Sequence, residues 1–176
     1  MFVSLKELER GKVAFRETYP PGAIQFGDQQ LRQAGVLQVE GVAEVSLALL
    51  EITVRGRFGV RMEADCDRCL ELVSLPLETS FQLSYLPAST LNEGEEVRVE
   101  EADAEAGFYE GGGLDLADVL REQILLALPM QRLCQEGCRG ICPVCGQNRN
   151  RVACGCREKM RDDRWAKLRD LPALNK

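Results

Sequence analysis

Residues 52–85 have the sequence ITVRGRFGVRMEADCDRCLELVSLPLETSFQLSY, in which two alternating apolar segments flank one pair of cysteines. The apolar side chains of the first segment share one face, at Ile52, Val54, Phe58, Val60, Met62 and Ala64. The second segment repeats the alternation at Val73, Leu75, Leu77, Phe81, Leu83 and Tyr85. A period of two is typical of a strand with one buried face. The stretch therefore predicts two strands joined by a short connection at 66–69.

The β pattern extends upstream to residue 36. Val45, Leu47 and Leu49 alternate, and the phase of the pattern then changes near Leu50 and Glu51. Such a change predicts a turn or a bulge, because a slip of one residue moves every later side chain to the other face. Together these strands predict an antiparallel β-sheet or a small barrel.

An acidic, glycine-containing segment follows the strands. Residues 87–113 are predicted to form a loop, with a short strand at Val97 and Val99 and a hinge at the glycines 111–113.

Residues 114–128 carry the spacing of a helix. Four large apolar side chains repeat at helical intervals, at Leu116, Leu120, Ile124 and Leu128. Asp115 can cap the first turn and Pro129 ends the helix. We expect this helix to pack on the sheet.

The length of 176 residues suits one domain with a small appendage. The expected class is α+β, with an antiparallel β domain at 1–130, which includes the acidic loop and the helix, and a basic, cysteine-rich segment at 131–176. No apolar run approaches the roughly 20 residues that span a membrane. The charged residues near Met1 do not resemble a signal peptide. We therefore expect a non-secreted, cytoplasmic protein that does not enter a membrane.

Eight cysteines and no histidine are the main chemical signal of the sequence. In a reducing compartment, cysteines bind metal more often than they form disulfides. Zinc takes four ligands in a tetrahedron, and two cysteines with two residues between them supply two thiolates from one tight turn. The spacing predicts two zinc ions, one held by Cys142, Cys145, Cys154 and Cys156, and the other by Cys66, Cys69, Cys134 and Cys138.

Other interpretations of the cysteines stay open at this point. Interleaved pairings are the alternative to the grouping. Disulfides, an iron–sulfur cluster, and a redox switch at a C-x2-C pair are the alternatives to zinc.

Nothing in the sequence argues for an enzyme. Two complete four-cysteine sites leave no metal position open for water. Histidine, the commonest general base, is absent. No glycine-rich phosphate-binding loop occurs. We therefore expect a binding protein without catalytic residues.

The net charge of −6 hides an asymmetry between the two parts of the chain. Residues 131–176 hold eleven basic and five acidic residues, whereas residues 1–130 hold eleven basic and twenty-three acidic residues. The basic segment remains positive when four thiolates and one zinc lie in it. Such a segment is compatible with nucleic-acid contact, although charge alone favours the alternative of a solvated surface. The candidate contact residues for RNA or a partner are Arg139, Arg149, Arg151, Arg157, Lys159, Arg161, Arg164 and Trp165.

Three polar or aromatic side chains of this segment have two interpretations. Trp165 lies in a predicted amphipathic helix at 162–171 and is expected to dock on the core, with stacking on a base or a protein partner as the alternative. Asn148 and Asn150 can cap backbone or sulfur, or contact RNA.

Four motifs occur in a fixed order along the chain. They are Cys66-Asp67-Arg68-Cys69-Leu70, LLALP at 125–129, CRGICPVCGQNRN at 138–150, and DRWAKL at 163–168. In these motifs the chain resembles the YceD family, the large ribosomal RNA subunit accumulation proteins of bacteria and plastids. The family's defining cysteine pair corresponds to Cys66 and Cys69. One departure is Asp163-Arg164, which lacks the proline often found between these two residues.

The resemblance implies a role in accumulation of the large-subunit ribosomal RNA. With the charge pattern, it predicts a ribosome-assembly factor that binds this RNA or a preribosomal particle, with ribosomal proteins or other assembly factors as further partners. The alternatives are a zinc-stabilised protein-interaction or regulatory module and a thiol redox switch.

Overall fold

The computed structural model describes residues 1–90 and 106–156. Within these ranges the elements are, in chain order, β1 (Phe2–Ser4), α1 (Leu5–Leu8), β2 (Val13–Tyr19), β3 (Leu31–Gln33), β4 (Leu37–Ser46), β5 (Glu51–Asp65), β6 (Leu72–Pro87), a 3-10 turn (Ala88–Thr90), β7 (Gly107–Tyr109), β8 (Gly113–Asp115) and α2 (Leu116–Ala127).

β5 and β6 form the long hairpin that the alternation predicts. They pair antiparallel from Ile52 opposite Tyr85 to Asp65 opposite Leu72, and the cysteine pair lies at the connection. The turn predicted near Leu50 and Glu51 is confirmed, but it begins earlier, because β4 ends at Ser46 and β5 begins at Glu51. Leu47 and Leu49, which were predicted to continue the alternation, lie in this turn and are exposed. Within this turn Leu50 has a φ of 53°, a left-handed conformation that reverses the chain.

The main sheet of the described residues is open. Its strand order is β2-β4-β5-β6-β7, and β3 pairs with β5 further along the edge that β4 occupies. β2 and β7 lie at opposite ends of this order, so the small barrel is wrong and the sheet is the correct alternative. β7 pairs with β6 in parallel, so the sheet is not purely antiparallel. β1 and β8 form a separate two-stranded sheet.

One face of the main sheet is the core. Every side chain predicted for the apolar face of β5 is buried, and those of β6 are buried or half-buried. The other face is charged. Glu40 of β4 lies opposite Arg16 of β2 and Arg57 of β5 in the register, and it forms ion pairs with both.

Glycines on the central strands make room for aromatic rings. A Cβ atom at Gly56 would lie 2.9 Å from Cζ of Phe81, and one at Gly41 would lie 2.6 Å from Cζ of Phe15. Because neither ring could keep its place beside a larger residue, the two glycines fix how these rings cover the sheet.

α2 is shorter than its predicted range of 114–128. Asp115 caps it, since its carboxylate accepts a hydrogen bond of 3.0 Å from the amide of Ala117, and Leu128 is already extended. The buried side chains of α2 belong to the same apolar cluster as the sheet and are Leu116, Val119, Leu120 and Ile124. The helix therefore contributes to the core, although it makes few contacts with β6 and β8.

The predicted acidic loop at 87–113 has regular structure at both ends. β6 extends to Pro87, β7 lies inside the predicted loop, and β8 begins at Gly113 within the predicted hinge. Val97 and Val99, where a short strand was predicted, lie outside the described residues, as does the predicted helix at 162–171. Neither helix of the described residues has the length and apolar character that a membrane crossing requires.

Candidate metal centres

The eight cysteines lie in two groups of four. The first site consists of Cys66, Cys69, Cys134 and Cys138, and the second site consists of Cys142, Cys145, Cys154 and Cys156. Within each site all four sulfur atoms lie within 4.8 Å of one another, and all eight thiols are free. This is the grouping assigned from the spacing, and the interleaved pairings are not seen.

The sulfur spacing suits a single ion. In the first site the Sγ atoms of Cys66 and Cys138 are 3.8 Å apart, and those of Cys69 and Cys134 are 3.5 Å apart. Tetrahedral Zn–S bonds of about 2.3 Å place the sulfurs about 3.8 Å apart. The four thiolates could therefore hold one metal ion with little rearrangement.

The C-x2-C turns of the two sites, here called knuckles, have the same backbone hydrogen bonds. In the first knuckle the amide of Leu70 donates to the carbonyl of Cys66 at 3.0 Å, and in the second the amide of Gly146 donates to the carbonyl of Cys142 at 2.8 Å. Leu70 and Gly146 both have positive φ, of 62° and 73°. Glycine adopts this conformation easily, whereas leucine does so at a cost of roughly 1–2 kcal/mol. The first knuckle is therefore held in its shape by its surroundings.

Backbone amides prepare one thiol of each knuckle for metal. Burial raises the pKa of Cys66, but three backbone N–H donors outweigh this effect and lower the pKa to about 6. The amides of Cys145 and Val144 likewise lower the pKa of Cys142 to about 6. Hydrogen bonds donated to sulfur favour the thiolate, which is the form that binds metal.

Two further thiols, those of Cys134 and Cys156, need a cation before they ionise. Burial and the neighbouring thiols raise the pKa of Cys134 to about 12. The hydrogen bond with Cys145, together with burial, raises the pKa of Cys156 to about 12. Several negative sulfurs within 4.8 Å of one another repel each other unless a cation lies between them. The donor set therefore suits a divalent metal ion.

The two residues between the cysteines of the first knuckle attach the cysteine-rich segment to the sheet. Asp67 accepts a hydrogen bond of 2.6 Å from the amide of Arg132, and its own amide donates to the carbonyl of Arg132 at 2.9 Å. Arg68 donates through Nη1 to the carbonyl of Cys138 at 3.1 Å, and its carbonyl accepts from the amide of Ile141 at 2.9 Å. Arg132 therefore has a docking role that its charge alone did not indicate.

The two sites differ in exposure. In the first site Cys66, Cys69 and Cys138 are buried and form a small cluster with Val73, and Cys134 alone is exposed, so this site is mostly covered by protein. In the second site Cys145 and Cys156 are exposed. The first site lies between the hairpin and the cysteine-rich segment, whereas the second site connects only residues of that segment.

Three of the predicted contact residues for RNA or a partner are described. Arg139, Arg149 and Arg151 are exposed, and Arg151 forms an ion pair with Glu71. The remaining candidates, Arg157, Lys159, Arg161, Arg164 and Trp165, lie outside the described residues. Of the two asparagines, Asn150 donates to the sulfur of Cys138 and Asn148 caps the backbone of residue 150.

These features define a class of protein, namely an open, mostly antiparallel sheet with two four-cysteine groups that could hold metal. The family model described as "Large ribosomal RNA subunit accumulation protein YceD" matches residues 54–172, and the chain belongs to this family. The match covers the hairpin, both cysteine groups and most of the basic segment.

The chain is also similar to mycobacterial proteins that are named as uncharacterized. It is 29% identical over 136 residues to a protein of Mycobacterium tuberculosis strain H37Rv and to one of Mycobacterium bovis, which covers 77% of this chain and 59% of each relative. A protein of Mycobacterium leprae is 28% identical over 138 residues, with shares of 78% and 58%. The chain thus spans less than two thirds of the length of these relatives. No solved structure matches it.

Proposed function

We propose that this protein is a zinc-stabilised accessory factor for accumulation of the large-subunit ribosomal RNA, and that its cysteine-rich segment binds this RNA or preribosomal particles in the cytoplasm. Membership of the YceD family supports the pathway. The observation that carries the molecular part is the attachment of a basic segment to the sheet through a four-cysteine site. In this proposal the protein is a binding factor and not an enzyme.

Zinc is the metal that we propose for both sites. Four thiolates around one ion are typical of structural zinc. The sulfur separations of 3.8 and 3.5 Å in the first site match the roughly 3.8 Å expected between thiolates around one tetrahedral zinc ion. A cluster with several irons and sulfides between the thiolates needs more room. Four protein ligands leave no position for a reactive water, which suits a structural role.

Two arginines that flank the second knuckle are suited to phosphate contact. Arg139 and Arg149 are neighbours across a small hairpin, since the amide of Arg149 donates to the carbonyl of Gly140 at 2.9 Å. Both are exposed, and the ion pairs of the described residues do not include them. Unpaired guanidinium groups bind phosphate through several N–H donors at once. The second site would hold this loop in shape.

The test is charge reversal of these arginines. One variant carries Arg139→Glu and Arg149→Glu, and a second carries Arg157→Glu and Arg161→Glu. Each is measured for co-sedimentation with large-subunit precursors and for RNA binding at several salt concentrations. We expect reduced co-sedimentation and a shallower salt dependence, because each lost phosphate contact removes a counterion-release contribution. Metal content should not change, since these side chains are not ligands.

The matched control reverses two exposed arginines of the β domain, Arg10→Glu and Arg61→Glu. Among the described residues neither side chain forms an ion pair. The control therefore makes the same change of charge as each test variant and breaks no ion pair. The control should co-sediment like the wild type. If both reversed variants also co-sediment normally, the basic segment is not the contact surface and the proposal fails.

Exposed apolar side chains favour a protein partner as a second candidate. Leu126 and Met130, at and beyond the end of α2, are 77% and 103% exposed. Large apolar side chains at such positions are common in protein interfaces. On this alternative, Leu126→Ser with Met130→Ser abolishes an RNase-resistant association, while the arginine reversals leave it intact.

A further inference from the structure

Asn150 belongs to the loop of one cysteine site and contacts a ligand of the other. It lies in sequence between Cys145 and Cys154 of the second site. Its Nδ2 atom donates to the Sγ atom of Cys138 in the first site at 3.2 Å. Its Oδ1 atom accepts from the amide of Arg139 at 2.7 Å. The side chain therefore spans from the second site to the first.

The two contacts require an asparagine in one orientation. The amide of Arg139 needs an acceptor, and a thiolate at Cys138 needs a donor. A flipped amide would pair donor with donor and acceptor with acceptor, so the hydrogen-bonding partners assign the oxygen and the nitrogen. An aspartate at this position would keep the acceptor for Arg139 but place a carboxylate against the thiolate.

The contact with sulfur acts on metal binding. The N–H of Asn150 points at the Cys138 sulfur at 3.2 Å, and a donor in this position favours the thiolate, which is the form that binds metal. Hydrogen bonds to a ligand also fix its direction, and loss of such a partner typically reduces metal affinity about 10–100-fold.

The position of Asn150 depends in turn on the second site. Among the described residues after α2, the backbone forms no helix and only one isolated bridge, between Ile141 and Asn148. Asn150 is held by the Asx-type bond from its own amide to Asn148 at 2.9 Å and by its two side-chain contacts. Four thiolates bound to one ion at the second site would fix both ends of this loop. The entropy lost on ordering the loop would then be offset by metal binding at the second site, and would no longer oppose metal binding at the first site.

We propose that Asn150 couples the two sites, so that metal in the second site raises the metal affinity of the first site. The coupling is reciprocal, since each ion changes the affinity for the other by the same factor. This inference rests on the proposed metal binding at both sites. It adds that the loop with Arg139 and Arg149 becomes ordered at the same time as it becomes attached to the sheet.

The experiment uses cadmium as the probe, with ¹¹³Cd NMR to observe each four-thiolate site separately. The signal of the first site is assigned in a variant with Cys154→Ser and Cys156→Ser, which disables the second site. Cadmium affinity of the first site is then measured by chelator competition in the full-length wild type, the second-site variant, Asn150→Ala, and the combination.

We expect the first-site affinity to fall about tenfold or more in the second-site variant and in Asn150→Ala. The two losses should not add, because both remove the same contact. Asn150→Asp, which preserves shape, should weaken the site at least as much. Val152→Ala is the matched control, since Val152 is an exposed residue of the same loop and its amide still donates to the carbonyl of Asn148.

The outcomes separate the inference from the proposal beneath it. If the wild type binds two ions and the first-site affinity is unchanged in the second-site variant, the coupling is overturned and the proposed metal binding is left intact. Losses that add in the combined variant would overturn the role of Asn150. A wild type that binds no cadmium at either group would overturn both the coupling and the proposed metal sites.

Discussion

Cys66→Ser is the substitution with the largest expected effect on stability. Cys66 is fully buried, lies at the end of β5 and shares the first site with two cysteines of the cysteine-rich segment. Its sulfur also accepts from the amide of Cys134 at 3.4 Å. The substitution leaves three thiolates at the first site and weakens the attachment of the segment to the hairpin.

The magnitude follows from the length of chain that the site closes. Cys69 and Cys134 are 65 residues apart, and a crosslink over such a loop lowers the entropy of the unfolded chain by an amount worth about 4 kcal/mol. Three remaining ligands preserve part of this effect, so we expect a loss of roughly 2–4 kcal/mol. At about 2–4 °C per kcal/mol for a chain of this size, Tm should fall by roughly 4–16 °C.

The assay is thermal unfolding of the sheet by circular dichroism, together with limited proteolysis of the residues after α2. Cys156→Ser is the matched control, because it makes the same chemical change in the second site. That site connects only residues 142–156, so its loss affects the sheet only through a weaker first site, and Tm of the sheet should fall clearly less than in Cys66→Ser. Equal melting and equal proteolysis of Cys66→Ser and the wild type would refute a structural role for the first site.

Two further substitutions test the packing and the docking. Gly56→Ala should destabilise the sheet by about 1–3 kcal/mol, because its Cβ would lie 2.8 Å from the backbone oxygen of Glu40 and 2.9 Å from Cζ of Phe81. Gly59→Ala meets its nearest atom at 3.9 Å and should melt like the wild type. Arg132→Ala should make the residues after α2 more sensitive to protease and lower the free energy of unfolding by no more than about 1–2 kcal/mol, because it removes the ion pairs with Asp28 and Asp67.

Each of these predictions has a contradicting result. Equal Tm values for Gly56→Ala and Gly59→Ala would mean that the Glu40 backbone and the Phe81 ring both move aside without cost. Unchanged proteolysis of Arg132→Ala would mean that the first knuckle holds the segment without this arginine.

The hairpin was predictable from sequence because its signal is local. β5 and β6 alternate over 15 and 16 residues, and one buried face leaves a strict period of two. β2 has only Phe15 fully buried, so its pattern is too weak to detect. β7 and β8 have three residues each, and they form only because distant partners, β6 and β1, supply their hydrogen bonds. Length and long-range pairing thus explain what the sequence did not predict.

The cysteine grouping was predictable because ligand spacing is a local property of knuckles and a count of eight divides into two sets of four. The attachment of the segment was not. Asp67, Arg68 and Arg132 act on residues about 65–70 positions away, and their types are also those of an ordinary solvated surface. Asn150 was identified from sequence as a residue that could cap sulfur, but spacing could not show that the sulfur belongs to the other site.

The most direct test of the account is the metal content of the full-length protein purified under reducing conditions. Elemental analysis should find about two zinc ions per chain, and the variant with Cys154→Ser and Cys156→Ser should retain about one. Iron with visible absorbance, or no metal with cysteines joined as disulfides, would contradict the central claim that two four-thiolate zinc sites build the cysteine-rich segment and join it to the sheet.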